Sequence, residues 1–195
     1  SRLELKYMKD EQNIPLPTEF KFMVNSSYLA RSTNECMFEI SDNKVRKAIP
    51  IGDEIHLIEV SESQDGNLLV RFIGPRPSSE EVVEEIIQYV REWFDLDTDL
   101  KPFYTLAEKD PLLKQAVHEF YGLRNLGIPD LFEALCWGIL GQQINLTYAY
   151  TLKRRLVERS IRAKRIERGA TGSSWRWRFL DRGMMMPRRC FWLRC

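Results

Sequence analysis

Hydrophobic and polar positions change rhythm along this chain, and the changes mark its elements. Leu3, Leu5 and Tyr7 alternate with Glu4 and Lys6, which predicts a short half-buried strand. Pro15 and Pro17 break the pattern, and Thr18 then reads as the N-cap of a helix with Phe20, Met23, Val24, Tyr28 and Leu29 on its apolar side. Four strand signals follow, over residues 37–40, 45–51, 55–60 and 68–73, divided by the turn formers Asp42-Asn43, Gly52-Asp53 and Asp65-Gly66-Asn67. Ser78 with Glu81 predicts a capping box, opening a helix whose apolar side runs from Val82 and Val83 through Ile86, Ile87 and Val90 to Trp93 and Phe94. The order β-α-β-β-β-β-α predicts a two-layer α+β domain over residues 1–98, with the second helix lying across an antiparallel meander.

Beyond the acidic stretch 95–100 the period becomes helical throughout. Residues 103–107 form one short helix signal, and Asp110-Pro111 supplies an N-cap followed by proline at the first helical position, leading a helix over 112–121. A loop over 122–129 feeds Asp130, which with Glu133 reads as another capping box. Leu131, Leu135 and Ile139 recur at spacing four, as do Phe132, Cys136 and Leu140, a surface wider than the roughly 100° stripe of an ordinary amphipathic helix. The expectation is a helix buried on most sides. Gly141 ends it, and Gln142 and Gln143 then set two amides, each able to donate and to accept, at the helix mouth. Such groups suit reading or replacing a nucleobase, although a Gln pair at a helix end is more often a solvated turn. Asn145 predicts the cap of a second helix from Leu146, packing through Leu146, Ala149, Leu152 and Leu156 and leaving Lys153, Arg154, Arg155 and Arg159 in water. Residues 99–159 thus read as a partial α-helical domain that closes on a hairpin with a polar elbow.

Composition changes this picture in two places. With 195 residues and 44% hydrophobic side chains the chain can build one large core or two small ones. No apolar run approaches the roughly 20 residues that cross a bilayer, and charges stand at the N-terminus where a signal peptide needs an apolar segment, so a cytoplasmic protein without a membrane partner is expected. Cys36, Cys136, Cys190 and Cys195 are scattered and accompanied only by His56 and His118, so neither a disulfide framework nor a metal site is expected. The net charge of +1 conceals a break at Ser160. From there on nine arginines and one lysine face Glu167 and Asp181, a balance of +8, while the preceding residues carry 19 basic against 26 acidic groups, or −7. Residues 160–168 fit a basic helix, whereas residues 169–195 show no period, three consecutive methionines (Met184 to Met186) and tryptophans at 175, 177 and 192. Together they read either as a basic aromatic arm for nucleic acid or as an atypical tail, frameshifted or disordered; the abrupt onset of Arg, Trp, Cys and Gly favours the second.

The string ILGQQI, flanked by DLFEA and TLKRRL, resembles the 3-methyladenine DNA glycosylase II family of the helix-hairpin-helix DNA glycosylase superfamily. The resemblance is strong from Gly122, weaker over the strand-rich segment, and stops at Arg159, so it covers an N-terminal part only. It implies a TATA-binding-protein-like antiparallel sheet domain followed by the start of an all-α glycosylase core. It also implies base-excision repair in a bacterial-type, nucleoid-associated setting: double-stranded DNA with alkylated bases as partner, a base rotated out of the helix, and its N-glycosidic bond hydrolysed with no metal or organic cofactor. On that reading Gln143 projects toward the vacated stack beside Gln142, while an apolar wedge from the loop falls on Asn125 or Leu126, next to Arg124. Extrusion costs a few kcal/mol, least for a damaged base. The family's catalytic Asp, which stabilises an oxocarbenium-like sugar, and its Gly-rich phosphate-holding hairpin have no counterpart in residues 160–195. The expectation is therefore a truncated, inactive chain with no catalytic residue and with an uncovered apolar face on residues 131–140 that favours association. The alternatives are a non-enzymatic DNA-binding protein that uses the basic tail, and a partner-binding α+β domain.

Overall fold

The computed structural model describes residues 11–170, with side chains described through Arg159. The strand expected over residues 3–7 and the tail from residue 171 onward lie outside the described residues. Five strands, β1 (Glu11–Ile14), β2 (Phe38–Ser41), β3 (Lys44–Ile51), β4 (Glu54–Glu62) and β5 (Leu68–Phe72), form one antiparallel sheet in the order β1-β5-β4-β3-β2. Helices α1 (Phe22–Leu29) and α2 (Glu80–Trp93) belong to this layer pair, and α3 (Lys101–Ala107), α4 (Pro111–Glu119), α5 (Leu131–Leu140) and α6 (Leu146–Ala170) follow. The α+β architecture and the meander are those the sequence predicts. The turns are where the Asp, Asn and Gly residues place them, with Asp42, Asn43, Gly52 and Gly66 at positive φ.

Strand alternation assigns two unlike faces to the sheet. Val45, Ile49, Ile58, Val60, Leu68, Val70 and Phe72 point toward Val83, Ile86, Val90, Trp93 and Phe94 of α2 and its C-cap, and together they form a sealed core. The other face is a charge ladder. Glu59 stands opposite Arg46 on β3 and Arg71 on β5, and accepts from Lys44 at 2.9 Å, Arg46 at 2.8 Å and Arg71 at 3.4 Å. Burial would push the Glu59 carboxyl up, but the bonds from Lys44 and Arg46 hold it below the usual range.

Several local expectations need correction. The first helix starts at Phe22 after Lys21, not at Thr18, and buries Phe22, Asn25, Ser26 and Leu29, leaving Met23 and Tyr28 half exposed. The reason is Asn25, whose amide donates to the Lys21 and Gly122 carbonyls, both at 2.8 Å, and whose oxygen accepts from the Arg124 N–H at 2.9 Å. Turning that amide inward gains three bonds, two of them across 97 and 99 residues of sequence, which rotates the helix off its apolar stripe. The cap of α2 is Ser79 rather than Ser78, with no side-chain bond to the helix. By contrast Asp110 caps α4 as expected, accepting from Leu112 and Leu113.

Gly122 fixes how the loop meets α1. It sits at φ +86°, and a Cβ there would lie 2.7 Å from the Lys21 nitrogen and 2.9 Å from the Phe20 carbonyl carbon. Both the left-handed conformation and the backbone contact exclude a side chain. Gly122→Ala is expected to lower unfolding free energy by about 2–3 kcal/mol, read as a fall in the urea midpoint with an unchanged slope.

Candidate nucleic-acid interface

The elbow forms as its residues dictate. Asp130 caps α5 by accepting from the Glu133 N–H at 2.6 Å, Gly141 ends the helix, and Gln143 takes a left-handed φ of 57° in the turn. Asn145 then caps α6, accepting from the Tyr148 N–H at 2.9 Å. Gln142 and Gln143 are both exposed at this turn, with their amides presented to solvent and not sealed against the sheet.

The loop 122–129 behaves differently from its expectation. Asn125 and Ile128 are exposed, Ile128 at 38%, whereas Leu126 packs against the sheet's core and lines a cleft, so its side chain is committed to the interior. Arg124 is the clearest correction among the expected DNA contacts. Its side chain is fully buried, donating to the Asp95 carbonyl at 2.8 and 2.6 Å, the Thr98 carbonyl at 2.5 Å and the Glu19 carbonyl at 3.3 Å. A guanidinium shared among three carbonyls ties the loop to the end of α2 and has no reach left for a phosphate.

Beside the elbow helices lies a cleft of about 90 Å³ walled by Tyr28, Phe38, Tyr89, Trp93, Trp137 and Tyr150. Four charged groups interleave with these rings. Glu133 of α5 meets Lys153 of α6 at 2.9 Å and Lys47 of β3 at 3.6 Å, and Lys153 also meets Glu35 at 3.1 Å. The ammonium of Lys153 stands 4.8 Å from the Trp137 ring and that of Lys47 5.2 Å from the Trp93 ring. Burial alone would push the Lys47 ammonium down, but Glu133, then Tyr89 and Glu35, hold it above the usual lysine range. Burial likewise pushes the Glu133 carboxyl up, and Lys47 and Lys153 outweigh it, leaving that carboxyl below its usual value. Two expectations fall here. Glu133 does not reach back to complete a capping box, because two ammonium groups compete for it; and Lys153 is not in water but 5% exposed. Arg154, also expected in water, donates to the Thr33, Asn34 and Glu35 carbonyls. One signal for this network is visible in the sequence: Lys47 stands on the same phase of β3 as Val45 and Ile49, the inward one.

The helix expected to be buried on most sides is not. In α5 no residue is buried, and Leu131, Leu135 and Ile139 are 73, 57 and 68% exposed. Its Phe132, Glu133, Cys136, Trp137 and Leu140 side is half covered, in part by the facing α6. The described residues hold no further element to pack on the other stripe, as the expectation of an uncovered apolar face requires.

Sheet, backing helix and capped hairpin together are the architecture of the front part of a DNA glycosylase. They match the fold of a 3-methyladenine DNA-glycosylase from Archaeoglobus fulgidus with a TM-score of 0.64 at 17% identity, over 76% of this chain and 50% of that one. A family model described as the N-terminal domain of 8-oxoguanine DNA glycosylase matches residues 21–135, more than half of the chain, and the chain belongs to that family. It is also 53% identical over 146 residues to a DNA-3-methyladenine glycosylase of Bacillus subtilis (strain 168), a match over 74% of this chain and 48% of that protein. The chain thus spans about half the length of the curated relative it matches.

Proposed function

We propose that this chain supplies the DNA-engaging front half of a base-excision glycosylase that acts on alkylated bases in duplex DNA. The 53% identity to a protein named as a DNA-3-methyladenine glycosylase carries the reading. The exposed Gln142–Gln143 elbow supports it: two amides held on a capped turn can fill the gap left by an extruded base, and the fixed left-handed turn limits the entropy lost on binding.

The elbow makes a prediction with the chain as it is. A duplex bearing an abasic site should bind about tenfold more tightly than the same duplex intact, a difference of about 1.4 kcal/mol, and the double variant Gln142→Ala/Gln143→Ala should lose that preference. Fluorescence anisotropy at fixed salt measures both, since phosphate contacts common to the two duplexes cancel in the ratio. Equal affinities for the two duplexes in the parent chain would remove the repair reading.

Chemistry is a separate matter. The cleft carboxylates Glu35 and Glu133 are each paired with a buried lysine, so neither offers the free negative charge that a sugar cation needs. The purified chain by itself is expected to release no 3-methyladenine from alkylated DNA above a no-enzyme control; release detected by chromatography would overturn the expectation of an inactive chain.

A further inference from the structure

The helical hairpin meets the sheet layer through a polar seat. Helix α5 buries none of its residues, and among its described side chains α6 buries only Ala149, Tyr150, Lys153 and Val157. So little buried apolar surface sets the angle of a hairpin weakly. The turn over residues 32–37, between α1 and β2, supplies what the packing does not. It is closed on itself: the Ser32 carbonyl accepts from the Glu35 N–H at 3.2 Å, the Ser32 hydroxyl from the Asn34 N–H at 3.2 Å, and one Glu35 carboxylate oxygen from the Cys36 and Met37 N–H groups at 2.7 and 2.8 Å.

Three consecutive carbonyls of this ordered turn converge on one guanidinium. Arg154 donates from Nη2 to Thr33 at 3.1 Å and Glu35 at 3.2 Å, and from Nε to Asn34 at 3.3 Å. Beside it, Lys153 holds the Glu35 carboxylate at 3.1 Å and joins it to Glu133 of α5 at 2.9 Å. Both helices of the hairpin are thus tied to one distant turn. The seat lies about 13 Å along α6 from its cap at Asn145, so a tilt of about 10° there swings the elbow by about 2 Å, more than the roughly 0.5 Å within which a binding group has to be held.

We propose that Arg154 is the positioning residue of the Gln142–Gln143 elbow: seated on the carbonyls of residues 33–35, it sets the angle at which the two amides meet DNA without touching DNA itself. The proposal rests on the elbow's engagement of an opened duplex, and the seat has a test that needs no DNA. Hydrogen exchange on the full chain, read by mass spectrometry, should speed up at least about tenfold over residues 141–153 in Arg154→Ala and stay unchanged over β3 to β5. Arg154→Lys should behave alike, because one ammonium cannot serve three carbonyls that a planar fork reaches together. In fluorescence anisotropy both variants should lower the abasic-to-intact affinity ratio from about ten to below about three, while the affinity for intact duplex and its salt dependence stay those of the parent. Glu35→Ala, which opens the turn from the other side, should reproduce both effects, and adding Arg154→Ala to it should change little further.

Unchanged exchange in both Arg154→Ala and Glu35→Ala overturns the proposal, and so does exchange that rises over β3 to β5 as well, which would make Arg154 a general structural residue. A parent-like affinity ratio in Arg154→Ala overturns it too. Affinity lost equally for both duplexes, with a shallower salt slope, would make Arg154 a phosphate contact instead. A parent chain that shows no preference between the duplexes counts against the repair reading, and exchange alone then decides whether the seat holds the elbow.

Discussion

Arg124→Ala is expected to lower the unfolding free energy by about 3–5 kcal/mol, and to do so whether or not DNA is present. The side chain is fully buried, and its removal strands the Asp95, Thr98 and Glu19 carbonyls without their donor. At a urea slope of about 2 kcal/mol/M this moves the midpoint down by about 2 M. Arg124→Lys should recover little, because one ammonium on a flexible stem cannot serve carbonyls that a planar fork reaches from three sides. The opposite result, unchanged stability with weakened DNA binding, would return Arg124 to the nucleic-acid surface where its sequence neighbourhood suggests it belongs.

Glu133→Ala should cost a similar amount, about 3–5 kcal/mol, by a different route. It leaves the Lys47 and Lys153 ammonium groups, 4 and 5% exposed, facing each other's charge with only Glu35 between them. A variant that also replaces Lys153 with methionine should regain part of the loss, since a buried ion pair exchanged for apolar packing is often neutral. The pH dependence carries the same signature. The Glu133 carboxyl titrates below its usual value in the folded chain, so its contribution is fully present above the unfolded value of about 4.3 and is lost as pH falls through the lower folded value. Lys47 runs the other way: its folded value lies above the ordinary one, so its contribution is complete below about 10.4 and lost only in stronger alkali. Unfolding free energy measured from pH 3 to 7 should therefore rise less steeply in Glu133→Gln than in the parent. Parallel curves would mean that Glu133 is not held by its lysines in solution.

These two residues also show where reading the chain succeeds and fails. Asp110, Asp130 and Asn145 were legible as caps because a cap bonds to N–H groups two or three positions away, inside the window that a sequence displays. The meander was legible because alternation and turn chemistry are equally local. Thr18 and Ser78 misled since the choice of first helical residue also depends on what the helix packs against, as Asn25 demonstrates across 97 residues. Lys153 looked wet for the same reason: its partners are Glu133, 20 residues away, and Glu35, 118 residues away.

The sequence by itself determined the four-stranded meander and the helices that follow it, the capped hairpin with its two exposed amides, and the family, all carried by contacts within a few residues or by a contiguous string, whereas the edge strand at Glu11–Ile14 gave no such signal. Only the tertiary structure decided that Arg124 is an internal strut, that Lys47, Lys153, Glu35 and Glu133 neutralise one another inside an aromatic cleft, and that the stripe on α5 stands open. Those outcomes turn on which distant groups meet. A charge is stable in the interior only if its partner arrives there, and an apolar face is buried only if another element covers it; neither condition can be read from the residue alone.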